Sequence, residues 1–307
     1  LLNELRDRGH EIEKIDVRDQ QFGLDGTTAD IDDLDLVVDR CLSTSRSLYA
    51  TRFVDHYDVP VVNSPETADA CADKVKNSLA LDDAGVPTPD TKVAFTVDSA
   101  MDAIDSFGYP CVLKPVVGSW GRLMAKLDSE SAAEAVLEHK KVLGHYEHKV
   151  FYVQEFGDKP GRDIRVLATD GEPVAAMTRT SDHWLSNAAK GGDTDAFELD
   201  DTARNLVERA SSVVGGGLLG VDLMEVGGEG SGEYTVHEIN HTVEFKALDG
   251  CVDVDVPATV VDWLETKANE ATPEATQCAT RSRRHPNERH LHRQRRRGNR
   301  VHGRRVA

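Results

Sequence analysis

The first 267 residues predict a small α/β leader followed by two α+β halves, and three observations carry that fold class. Apolar–polar alternation of period two recurs at 164–169, 173–179, 220–225 and 237–240, as expected of strands with one buried face. Helical spacing separates these runs, with long stretches at 66–84, 99–107, 129–143 and 200–214. The first 65 residues instead alternate helices with short strands, the pattern of βαβ units.

Taken in order, residues 1–9 have helical spacing and stop at Gly9, and 12–17 reads as a strand. A helix followed by a strand, with none before it, reads as a βαβ unit lacking its first strand; such a unit would expose a sheet edge. Residues 34–39 form a buried-type strand, 45–57 a helix and 59–63 another strand, so 1–65 is expected to be a truncated α/β domain. One helix is expected from Pro65-Glu66 to Ala84, with Ser64 or Pro65 at its start and Gly85 at its stop. Strands follow at 91–95, 111–115 and 151–156, with helices at 99–107 and 129–143, placing a second unit at 66–150. A third, 151–267, holds the alternating strands, the helix at 200–214 and a closing helix at 257–267.

Charge divides the chain unevenly. Residues 268–307 hold 11 Arg against three Glu, so of the overall −18 the tail contributes +8 and the rest −26. An acidic body with few lysines resembles a protein adapted to molar salt, where the Debye length is about 3 Å and self-repulsion is screened. It disfavours nucleic-acid binding. The Arg-rich tail is read as a disordered or out-of-frame extension rather than a nucleic-acid arm. Apolar runs of about 18 residues are absent, which argues against a membrane span. There is no charged-then-apolar leader, and five separated cysteines fit a reducing cytoplasm.

The residues that carry chemistry cluster in two places. Alternation sends Val221, Leu223 and Ile239 to one face and Asp222, Glu238 and Asn240 to the other. Three hard oxygens without a thiolate suit Mg²⁺ or Mn²⁺ rather than zinc. Lys114 closes an apolar strand beside Gly118-Ser119-Trp120-Gly121-Arg122, where a lysine and close-approaching backbone N–H groups could clamp phosphate. The spacing fits neither a Walker A loop nor a dinucleotide fingerprint. Arg162, Asp163, Arg165 and Arg179 add charges that either pair internally or meet an anionic ligand, and the whole set points to a nucleoside triphosphate site. His183, His237 and His241 are read as strand or surface residues rather than ligands.

Five ordered blocks then resemble the ATP-grasp superfamily and, within it, the RimK-like amino-group-carrier ligases LysX and ArgX. They are 108–123, 153–156, 159–166, 181–184 and 238–246, within a resemblance running from about 60 to 266. The resemblance implies an ATP-grasp fold behind a pre-ATP-grasp domain. It places Lys74, Lys114 and the loop Gly118 to Leu123 (Ser119, Trp120, Gly121, Arg122 and Leu123) on the nucleotide phosphates. Gln154, Glu155 and Phe156 would hold adenine, and Asp163 would join the ATP site. Arg165 and Arg179 would serve catalysis at the γ-phosphate, and Asp222, Glu238 and Asn240 would hold two Mg²⁺, with Mn²⁺ able to substitute. Asn187, Lys190, Thr242, Glu244, Phe245 and Lys246 would line the amino-acid pocket, with Lys190 standing where many relatives have arginine.

The implied reaction joins the α-amine of glutamate, or of α-aminoadipate, to the C-terminal glutamate of a small acidic LysW-like carrier protein through an acyl phosphate. It would belong to arginine or lysine biosynthesis in the cytoplasm, in a homo-oligomer. The acidic, haloarchaeal-looking body favours glutamate and the ArgX type. Two alternatives stay open: a ligase adding glutamate to a ribosomal protein, and a non-catalytic nucleotide-binding protein.

Overall fold

The computed structural model describes residues 1–24, 31, 33–118, 123–142, 149–157, 160–180, 193–271 and 305–306. The chain opens with α1 (Leu2–Asp7), β1 (Glu11–Ile12), β2 (Val37–Val38), α2 (Thr44–His56), β3 (Val61–Val62), α3 (Pro65–Ala72) and α4 (Lys74–Asp83). Next come β4 (Thr91–Ala94), α5 (Val97–Phe107), β5 (Cys111–Lys114), β6 (Ala125–Leu127), α6 (Glu130–Val142) and β7 (Phe151–Glu155). The remainder is β8 (Arg162–Thr169), β9 (Glu172–Thr180), β10 (Asp193–Ala196), α7 (Asp201–Val213), β11 (Leu218–Glu225), β12 (Tyr234–Asn240), α8 (Lys246–Asp249), α9 (Val256–Ala271) and β13 (Arg305–Val306).

Two antiparallel sheets dominate, ordered β4-β7-β5-β6 and β10-β9-β8-β11-β12. In the four-stranded sheet Leu113, Phe151 and Val153 pack with Ala100 and Ile104 of α5 and Ala133 and Leu137 of α6, so every apolar stripe finds a partner. The five-stranded sheet is covered on one face by Ala203, Leu206, Val207 and Ala210 of α7 and by Cys71 and Leu81 from α3 and α4. That face carries Ile164, Val166, Val221, Leu223, Val236 and Ile239, all fully buried.

Its other face divides in two. Leu167, Met177 and Leu218 pack against Val256, Val260 and Leu264 of α9, while the strand positions beyond them turn ionic. Arg165, Asp222 and Glu238 lie in register across β8, β11 and β12 in that second half, and Arg179 of β9 stands opposite Asp163. The cross-strand register therefore builds a charged floor from four separate strands.

The short parallel strands β2 and β3 pair with each other, Leu36 and Val62 share an apolar cluster with Leu167, Met177 and Leu218 of this sheet, and a polar tie adds to that packing. Asn63, just after β3, accepts the Leu218 N–H at 2.6 Å and donates to the carbonyls of Leu218 at 2.9 Å and His241 at 2.7 Å. Gly217 makes room for it, since a β-carbon there would lie 2.2 Å from Asn63 Oδ1.

Several elements differ from expectation. The strands expected at 12–17, 34–39 and 59–63 shrink to two residues each, because turns and side-chain contacts take over their backbone. Asp16, for example, accepts from the Arg18 backbone N–H at 3.0 Å and bonds its guanidinium. β6, β10 and α8 lie where no element was expected. The closing helix runs on to Ala271 because Ala268 is still buried against the core. Residues 305–306 lie parallel beside β1, while 272–304 fall outside the described residues. Among the described residues no helix is long and apolar enough to cross a membrane.

Replacing Asn63 with Ala strands three buried backbone groups. The unfolding free energy should fall by about 2–4 kcal/mol in urea melts. An unchanged midpoint would show that these bonds do not tie β3 to β11.

Candidate active site

The alternation of β11 and β12 places the three oxygen-bearing residues together. Asp222 stands directly across from Glu238, and Asn240 across from Gly220, all on the face opposite the apolar core. Asn240 Nδ2 donates to Asp222 Oδ2 at 3.3 Å. The other oxygen of Asp222 receives Arg165 Nε at 2.7 Å and Arg179 Nη2 at 2.9 Å, and Arg179 Nε reaches Asp163 Oδ1 at 2.6 Å. Desolvation works against the Arg179 charge, but Asp222 and Asp163 hold it well above the ordinary guanidinium range. Gly220 leaves the space for Arg165, whose Nη1 would lie 2.5 Å from a β-carbon at that position.

Two lysines approach, one from the four-stranded sheet and one from helix α4. The single helix expected over 65–84 is broken at Asp73, an extended residue forming an isolated bridge with Val117. The break has a local cause. Asp73 Oδ1 accepts the N–H groups of Val75 and Lys76 and restarts the helix, while the Lys74 N–H bonds Val116 carbonyl at 2.9 Å. Lys74 thus sits in the first turn of α4, and its Nζ donates to Glu238 Oε1 at 2.9 Å and to the Gly118 carbonyl at 2.8 Å. Lys114, buried at the end of β5, donates to Gln154 Oε1 at 2.5 Å and lies 3.1 Å from His237 Nε2. Burial alone would raise the Glu238 carboxyl, yet Lys74 and Lys114 hold it below the usual carboxylate range.

His237 is the residue that alternation missed. Asp222 pairs with Glu238 but Leu223 pairs with Val236, so His237 is one extra residue in β12. This bulge shifts the parity of the strand, leaving Val236 in the core and turning His237 towards Lys114. A period-two reading assigns it to the wrong face, and the one signal in the sequence is that Val236, His237 and Glu238 cannot all be sorted by simple alternation.

The remaining expected residues divide. Gln154 is buried and bonds Lys114, Thr91 and Tyr152, so its side chain organises the lysine. Glu155 accepts the Asp90 N–H at 3.0 Å and Phe156 lies under Lys126, while Leu123 is exposed. Thr242, Glu244 and Lys246 turn away from the core, but Phe245 does not line an open pocket. It is buried with Val243 and Leu248 against Leu36 and Val62, because the alternating apolar side chains Val243 and Phe245 gain more by covering the leader's strands. Ser119, Trp120, Gly121, Arg122, Asn187 and Lys190, like Lys159 and His183, lie outside the described residues.

The donor set fits magnesium. Asp222, Glu238 and Asn240 offer two carboxylates and one amide, hard oxygens on adjacent strands, with no sulfur ligand among them. Asp163, Asp222 and Glu238 are matched by Lys74, Lys114, Arg165 and Arg179, so this group carries one surplus positive charge inside a strongly acidic body. Such a site is prepared for a polyanion with its metal.

Lys114 from one sheet and Lys74 from a helix, both facing carboxylates on the strands of a second sheet, are the arrangement of an ATP-grasp ligase. The RimK-like ATP-grasp domain model matches residues 71–264, and the LysX preATP-grasp domain model matches residues 1–70. The chain belongs to the RimK-like ATP-grasp family. It is an ATP-dependent carboxylate–amine ligase that binds ATP and Mg²⁺. The glutamate–LysW ligase ArgX of Sulfolobus acidocaldarius is 31% identical over 233 residues, covering 75% of this chain and 82% of that protein. The α-aminoadipate–LysW ligase LysX of Saccharolobus solfataricus is 32% identical over 247 residues, covering 80% and 88%. Among solved structures, a RimK-domain ATP-grasp protein from Sphaerobacter thermophilus superposes with a TM-score of 0.71 at 26% identity, over 85% of this chain and 92% of that one.

Two substitutions separate the halves of this site. Asp222→Asn removes the charge that Arg165 and Arg179 share as well as a metal oxygen, and should lower kcat by about 10²–10³-fold in an ADP-release assay. His237→Ala removes a partner of Lys114 and should raise KM for ATP by about tenfold while changing kcat much less. A KM for ATP that stayed constant would show that the bulge does not serve the nucleotide.

Proposed function

We propose that this ligase joins the α-amine of glutamate to the γ-carboxylate of the C-terminal glutamate of a LysW-type carrier protein, consuming ATP. The observation that carries the reading is the convergence of Lys74, Lys114, Arg165 and Arg179 on the Asp222–Glu238–Asn240 oxygens. The LysW ligases that match most of the chain supply the substrate class. The division into a leader at 1–65, a central subdomain at 66–150 and a C-terminal subdomain at 151–267 belongs to the same proposal.

The chemistry follows from what each residue can do. Lys74 and Lys114 attract the phosphate chain as point charges, and the 118–123 loop covers it. Asp222, Glu238 and Asn240 would hold two Mg²⁺ ions, or Mn²⁺ in their place, which when bound offset phosphate charge. Arg165 and Arg179 neutralise charge on the γ-phosphoryl group as it passes to the carrier's carboxylate, forming an acyl phosphate and releasing ADP. The amine of glutamate then attacks the acyl carbon and phosphate leaves. Activation is needed because a carboxylate alone would have to expel oxide. Thr242, Glu244, Lys246, Asn187 and Lys190 are assigned to the amino-acid side of the site.

The deciding experiment is ADP release by the purified chain with carrier, comparing glutamate with α-aminoadipate. One methylene changes discrimination by about 10–200-fold, and glutamate should have the higher kcat/KM. ADP release that ignored both amino acids and the carrier would overturn the reading.

A further inference from the structure

The carboxyl ends of the parallel strands β2 and β3 both meet the segment that leaves the metal-type strand β12. In parallel α/β sheets, ligand-handling residues gather at these ends. At the end of β3, Asn63 holds the His241 carbonyl. At the end of β2, Arg40 contacts three consecutive residues. Its Nη1 donates to the Val243 carbonyl at 2.6 Å, its Nη2 to Glu244 Oε1 at 3.1 Å, and its guanidinium lies 5.5 Å from the centre of the Phe245 ring.

The turn that presents Arg40 is itself fastened. The Asp39 N–H bonds the Val62 carbonyl at 2.7 Å, and its carboxylate accepts the Cys41 N–H at 2.8 Å and the Ser47 hydroxyl. An arginine on such a turn supplies a planar fork and a flat cationic face, which a lysine would not reproduce. The contacted residues sit three to five positions after Asn240, and among the described residues no contact of Arg40 goes to the lysines or arginines of the nucleotide half.

We propose that Arg40 is a positioning residue for the amino-acid half of the site. Resting on the assignment of 242–246 to that half, it locks the segment 243–245 against the leader's strands, so that Thr242, Glu244 and Lys246 face the substrate in one conformation. The nucleotide half does not depend on it. The leader thereby enters the reaction through amine recognition rather than through ATP.

Two measurements on the full chain test this with Arg40→Ala. In hydrogen exchange, amides of 242–249 should exchange about tenfold faster than in the unmodified protein, with β8 and β11 unchanged. In ADP release with carrier and L-glutamate, KM for glutamate should rise about tenfold and KM for ATP stay within about twofold. Unchanged exchange at 242–249, or an equal rise in both KM values, overturns the inference. If the unmodified protein shows no dependence on glutamate or carrier, the proposed function fails, while the exchange measurement still decides whether Arg40 holds the segment.

Discussion

One constraint governs the rest of the structure: charges gathered on one half of a sheet face must be neutralised before that face can be partly covered. Asp222 sits at the centre, its Oδ1 shared by Arg165 and Arg179 and its Oδ2 held by Asn240. Removing one member of such a cluster costs more than the cluster's net worth, because its partners are left desolvated and unpaired. The surplus positive charge suits an anionic ligand. The same economy explains why the apolar half of the face packs on α9 while the ionic half does not.

Neutralisation also links the two sheets. Lys114 arises in β5 of the four-stranded sheet and Lys74 on the covering helix α4, and their partners include His237 and Glu238 on β12 of the five-stranded sheet. The ATP-grasp arrangement is in this sense an electrostatic clasp as well as a packing solution. In the proposed function, nucleotide phosphates would compete with Glu238 for Lys74.

The leader is the third party to the site. Asn63 and Arg40 bind backbone and side-chain groups of 241–244, and Phe245 buries its ring among the leader's strands. These are polar bonds and an apolar anchor acting on one short segment. The leader thus contacts both β11, through Asn63, and the segment that follows β12.

Sequence alone determined the parts whose cause is local. Period-two patterning assigned Asp222, Glu238 and Asn240 to one wall and Val221, Leu223 and Ile239 to the core, because side chains of a strand alternate whatever surrounds it. Tertiary structure decided the rest. Lys74 reaches the site because Asp73 leaves the helix to bridge Val117, and His237 reaches it because β12 must gain a residue against β11. Arg40 acquires its partners from residues more than 200 positions away. Each of these depends on backbone pairing between distant segments, and local spacing contains no term for it.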